Sequence, residues 1–202
     1  MKEEFINLLR NVKRDGIEKL ITYLEKTDFF KAPASTRFHG NHEQGLLEHS
    51  LNVYKLLYMK LKQKPYSDLI NVSDETIIII SLLHDICKTN YYTVEMRNKK
   101  NEDGMWVKEP YYTINDTIPY GHGEKSVMMI SNFIKLTMEE MYAIRWHMGL
   151  SEPKELYNTI SLVFEKYPLA LALHEADLEA TYLYEERSWK KLLCKYAQPD
   201  GT

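Results

Sequence analysis

Apolar positions repeat mostly at three- and four-residue intervals along this chain, and that spacing predicts helices. Phe5, Leu8, Leu9 and Val12, then Ile17, Leu20, Ile21 and Leu24, give two short helices on either side of Asp15-Gly16, with Asp15 and Glu18 spaced as a capping box. The stretch "FFKAPASTRFHGNHEQG" mixes Pro, Ser, Gly and Asn and reads as a loop. It leads into a long helix from about 43 to 62, with Leu47, Tyr54, Leu57, Tyr58 and Leu61 on one side. Ser73 is placed to cap "DETIIIISLLHDICK", which is apolar nearly all round and is expected to run through Lys88 as a helix enclosed by protein. Four consecutive isoleucines also suit a strand, but the acidic start and the length decide for helix.

The period then changes. Aromatic and β-branched residues over about 91–96 and 105–114, separated by the polar "RNKKNEDG", predict a hairpin. Helices resume at about 123–135 and 138–148, the second opened by a Thr137/Glu140 capping box and closed by Gly149. "LSEPKELYN" reads as a loop or short turn, followed by a helix at about 159–166. Pro168 is a good first residue for the next helix, and a last one is expected to end near Cys194. The expected fold class is therefore all-α, a helical bundle with a small β-hairpin insert at about 91–114, in one domain over 1–202.

Composition narrows the functional classes. Hydrophobic residues are 44% and charged residues 27% of 202, the balance of a folded globular protein. A formal net charge of -3 provides no global field for duplex nucleic acid or an anionic membrane, so any anion must be met locally. Two cysteines, Cys87 and Cys194, form no CxxC pattern and suggest a reducing compartment. "MKEEFINLLR" is unlike a signal peptide, and the run from Ile77 to Leu83 is far short of a membrane span. Together these features lead to an expected cytoplasmic location without membrane partners.

Six residues of metal-ligand type, His49, His84, Asp85, His122, His147 and Asp177, fall on or at the ends of different predicted helices. Adjacent residues on a helix point about 100° apart, so His84 and Asp85 could share one ion or let the carboxylate bridge two. Ligands converging from several helices are a known bundle strategy. His49 in "GLLEHSLNV", His84-Asp85 in "SLLHDICK" and Asp177 in "LALHEADLEAT" occur in the order of the HD superfamily of metal-dependent phosphohydrolases, which this chain resembles. "GLLEHS", "LLHDxxK" and "GHGEKS" are further similar to the HD domain of bacterial 3′-end exoribonucleases and of phage or plasmid hydrolases.

The resemblance implies an HD-domain bundle, with core motifs over 45–181, and a first metal site of His49, His84, Asp85 and Asp177. His122 in "YGHGEKS" and His147 in "IRWHMG" match the extra histidines of members that bind two ions, with Asp85 as the bridge. It also implies that Lys88 contacts substrate phosphate. Lys125, His39 and His42 are further substrate-binding candidates, and His174 a candidate support for the ligands; Arg145 could also meet phosphate but reads first as surface charge. The aromatic hairpin could stack a base, although such residues more often stabilise strand pairs.

The expected cofactor is a divalent transition metal, two ions of Mn, Fe or Zn, because mixed imidazole and carboxylate ligation suits these metals. The expected reaction is hydrolysis of a phosphoester in a phosphorylated small molecule or at a nucleic-acid end, with Asp85 and Lys88 in the catalytic machinery. The alternatives are an HD-type diiron oxygenase and a nucleotide-binding module with vestigial activity.

Overall fold

The computed structural model describes residues 1–37 and 40–185. Among them are nine α-helices and one two-stranded antiparallel hairpin. The all-α expectation with a β insert holds. His39, Cys194 and the expected last helix lie outside the described residues.

At the centre is α5 (Asp74–Leu83), every residue of which from Thr76 onward is buried. Ser73 caps it, accepting the Thr76 N–H through its hydroxyl. Around α5 pack α1 (Lys2–Arg10), α3 (Gly45–Leu61) and α7 (Met138–Trp146). A second layer is α9 (Pro168–Glu179) against α3, α7 and α8 (Tyr157–Lys166), with α6 (His122–Ser131) against α7. Ser50 and Ser81 donate their hydroxyls back to the Leu46 and Ile77 carbonyls, so neither leaves a polar group unsatisfied inside the bundle.

Several local expectations need correction. Asp15 and Glu18 form no capping box: α2 (Ile17–Lys26) is capped by Gly16 at φ 95, and Glu18 pairs with Arg10 instead. The central helix stops at Leu83, not Lys88. Asp85 leaves the helical region at φ -103 and ψ 17, and Ile86–Lys88 is a 3-10 turn. Apolar periodicity cannot register this break, because the residues on both sides of it are buried. A short helix, α4 (Tyr66–Leu69), fills the unassigned segment after α3, and Ala180–Tyr184 forms one π-helical turn after α9.

The hairpin is longer than expected. β1 (Tyr92–Lys100) pairs with β2 (Trp106–Ile114) from Tyr92↔Ile114 to Lys100↔Trp106, so "RNKK" belongs to a strand. The turn is only 101–105, held by the Asn101 carboxamide oxygen accepting the N–H groups of Asp103 and Met105. Its aromatics mostly make local contacts: Tyr92 with Tyr112, Arg97 over Tyr111, Lys100 over Trp106. Thr137 and Glu140 form the expected capping box, and Pro168 opens α9.

Two polar clamps hold the bundle. Lys60 on α3 reaches Glu175 and Glu179 on α9, each at 2.8 Å. Arg14, in the loop before α2, grips Glu140 through two 2.7 Å bonds, and Glu140 also accepts the Thr76 hydroxyl and the Thr137 N–H. Glu140 is fully buried. Removing its carboxylate would leave Arg14 without its main partner and open the α7 cap, so Glu140→Ala should cost about 3 kcal/mol. Urea denaturation measures this; a loss well under about 1 kcal/mol would mean the clamp is not structural.

Candidate metal centre

The predicted ligands arrive from five helices, with adjacent His84 and Asp85 sharing one of them. His49 is on α3, Asp177 on α9, and His84 and Asp85 follow the end of α5. His122 is the first residue of α6 and His147 follows the last of α7. The α6–α7 approach depends on Gly123, where a methyl group would collide with the Arg145 carbonyl. That closeness sets the His122 and His147 rings 5.1 Å apart.

The side chains converge. His49 Nε2 lies 3.2 Å from His84 Nε2, 3.1 Å from Asp177 Oδ1 and 3.7 Å from Asp85 Oδ2. His84 Nε2 is 3.6 Å from Asp85 Oδ2. On the other carboxylate oxygen, Asp85 Oδ1, are His122 Nε2 at 2.8 Å and His147 Nε2 at 3.6 Å. All six predicted ligands thus meet, with Asp85 in the middle.

The outer nitrogens explain the orientation. Nδ1 of His84 donates to the Ser81 carbonyl at 2.8 Å and that of His147 to the Ile144 carbonyl at 2.7 Å. Nδ1 of His49 meets Glu185 Oε1 at 2.7 Å. These three partners only accept, so the Nδ1 atoms keep their hydrogens and the Nε2 atoms point inward. His122 Nδ1 faces the Cys87 thiol at 3.3 Å. Glu185 and Cys87 were not foreseen. The "HDICK" motif contained Cys87, whereas Glu185 reaches His49 only through the π-helical turn, which has no sequence period.

Charge is tightly balanced. Burial would raise Asp85, but Lys88 at 2.6 Å and the surrounding imidazoles hold it well below the usual carboxylate range. Burial pushes His84 down to about 3, leaving it neutral. Burial would also lower His49, but its bonds to Asp177 and Glu185 outweigh that and lift it to about 10. Near neutral pH His49 therefore carries a proton that it shares inward, toward His84 and Asp177.

The other candidates are placed as follows. Lys88 sits on the 3-10 turn with its ammonium on Asp85 Oδ2. Lys125 is buried on α6, bonded to Asp116 at 2.6 Å and 5.1 Å from the Tyr91 ring centre. His174 donates to the His147 carbonyl at 2.7 Å and so supports that ligand's backbone. His42 is exposed and engages Glu48 and the Glu43 carbonyl rather than the cluster. Arg145 pairs with Glu124 and Glu152 and is half-buried, rather than the solvent-exposed surface charge expected of it.

The donor set fits a divalent transition metal. Two inward-facing imidazole nitrogens 3.2 Å apart beside carboxylates are favourable only with a cation or a proton between them. Three groups have ligand atoms mutually within 4.8 Å: His49, His84 and Asp85; His84, His147 and Asp177; and Asp85, Cys87 and His122. A family model for the HD domain matches residues 46–186.

The chain belongs to the HD domain family. Members of this family are generally metal-dependent phosphohydrolases, and the matched region includes the His84-Asp85 pair. No curated protein and no solved structure matched the chain, so the assignment rests on the family pattern and on the geometry above. No helix among the described residues is long and apolar enough to cross a membrane.

Because His49 keeps its proton up to about pH 10 and must surrender it to ligate, metal affinity should climb with pH, about tenfold per unit between pH 7 and 9. Calorimetric Zn²⁺ titration in two buffers of different ionisation enthalpy would show roughly one proton released at pH 7. Uptake without proton release would remove His49 from the ligand set.

Proposed function

We propose that this HD protein hydrolyses a phosphoester of a nucleotide or of a nucleic-acid end, using two divalent ions of Mn, Fe or Zn, in the cytoplasm. One observation carries the reading: Asp85 presents Oδ2 to His49 and His84 and Oδ1 to His122 and His147. A carboxylate between two imidazole pairs is suited to bridging. His49, His84, Asp85 and Asp177 would hold one ion, and Asp85, His122 and His147 the other.

Such ions supply a nucleophilic water at neutral pH and counter-charge for the phosphate. The chain's own residues do the remaining work. Asp85 fixes the spacing of the two halves. Lys88 stays protonated despite its burial, because Asp85 lies against it. Its ammonium is a point charge suited to a non-bridging phosphate oxygen. His122, 34% exposed where His49, His84 and His147 are at most 1%, marks the side from which substrate reaches the cluster. Near this side Tyr91 offers a ring of the kind a nucleobase stacks on, backed by Lys125, whose ammonium is already paired with Asp116. Lys88 beside the bridge favours phosphoester hydrolysis over oxygen activation, which has no need of that cation.

Elemental analysis and a screen of nucleotides and short oligonucleotides test this reading. Asp85→Ala should lose both ions and hydrolysis, while His122→Ala and His147→Ala keep the first ion. Lys88→Ala should retain metal at least as tightly, having lost a competitor for Asp85, yet lower kcat/KM by roughly 100-fold. Unchanged kinetics on the best phosphoester would reduce Lys88 to a structural charge and return the diiron oxygenase to first place.

A further inference from the structure

The Nδ1 atoms of His49, His84 and His147 face a carboxylate or a carbonyl, groups that can only accept. His122 differs. Its Nε2 lies 2.8 Å from Asp85 Oδ1, while its Nδ1 lies 3.3 Å from Cys87 Sγ. A thiol can donate or accept. A neutral imidazole has one N–H, and the carboxylate of Asp85 claims it at Nε2, so here the thiol donates to Nδ1. To ligate an ion through Nε2, His122 must move its hydrogen to Nδ1, and the sulfur must then accept it.

We propose that Cys87 is a reversible hydrogen-bond partner that allows His122 to switch between holding Asp85 and ligating the second ion. The inference rests on the dinuclear reading above and makes Cys87 a positioning residue for it. Proton count is conserved: the imidazole stays neutral, its hydrogen leaves Nε2 and one returns at Nδ1, while the S–H rotates away. The imidazole is 34% exposed, so water can carry this exchange.

Cys87 is also held for the task. Its sulfur is reachable only from within, the residue being 3% exposed, and its N–H donates to Ser126 Oγ on α6 at 3.3 Å. Ser126 is one helical turn beyond His122, so the 3-10 turn grips α6 at two points that share one residue. A hydrogen bond from Nδ1–H strengthens once a cation polarises the ring, so the thiol contributes more to the loaded state than to the free one. The imidazoles of the first site have no such two-way partner, because their Nδ1 atoms face groups that only accept. The two ions should therefore bind with different dependence on Cys87.

The test uses the full chain, with Zn²⁺ and Co²⁺ as probes. Imidazole ¹⁵N shifts should place the His122 hydrogen on Nε2 in the metal-free protein and on Nδ1 with Zn²⁺ bound. Cys87→Ala should weaken the second Zn²⁺ by about 10- to 100-fold and leave the first unchanged, while Cys87→Ser, whose hydroxyl also works both ways, restores it to within a few-fold. Co²⁺-loaded wild type should lack a thiolate charge-transfer band. That band would make Cys87 a direct ligand and overturn the proposal, as would an unchanged second affinity in Cys87→Ala. A wild-type chain that takes up only one ion would overturn the dinuclear reading and this role with it. Normal two-ion binding with a fixed His122 tautomer would overturn this role alone.

Discussion

A single carboxylate, that of Asp85, sets the terms for the rest of the molecule. It is 2% exposed and ionised, a state that burial by itself would forbid. It persists because Lys88 and four imidazoles surround it, and each of these must come from somewhere rigid. The chain delivers them at the ends of α5, α6 and α7, on the 3-10 turn after α5 and from within the second turn of α3. Helix ends can present a side chain inward without placing more of the helix in the cluster.

The same demand shapes the second layer. Each imidazole is useful only if its outer nitrogen is satisfied, and the chain achieves this in three ways. His84 and His147 use carbonyls one turn back on their own helices, so the helix end that carries the ligand also orients it. His49, in the second turn of α3, has no spare carbonyl and takes a carboxylate from the segment after α9. His122, first in its helix, takes a thiol from the neighbouring turn. Position within the helix thus decides the kind of partner.

This division also explains what could be read from the sequence. The six inward-facing residues were legible because their types and order are distinctive and each lies in a helical pattern. Helix identity was legible from Leu, Ile and Phe spacing, and the caps at Ser73 and Thr137 from short-range chemistry. The break after Leu83 was not, because Ile86 and Cys87 are as buried as the helix before them. Glu185 was not, since its role depends on a π-helical turn that no local preference announces. Asp15 misled for the opposite reason: its spacing to Glu18 was right, but Gly16 took the capping position in a left-handed conformation. Lys88 showed its type and neighbourhood in the sequence, but not that its ammonium would lie on Asp85.

The Arg14 clamp bears on where the functional unit begins. The family pattern starts at residue 46, yet Arg14 holds Glu140 at the start of α7, and the other end of that helix supplies His147. The bundle has recruited its own leading segment as a brace for the helix that carries His147 into the cluster. A fragment trimmed to the matched region would contain all six clustered residues and still lack the strut that braces the helix of one of them, so the smallest piece that carries the family signature is smaller than the piece that holds the cluster in place.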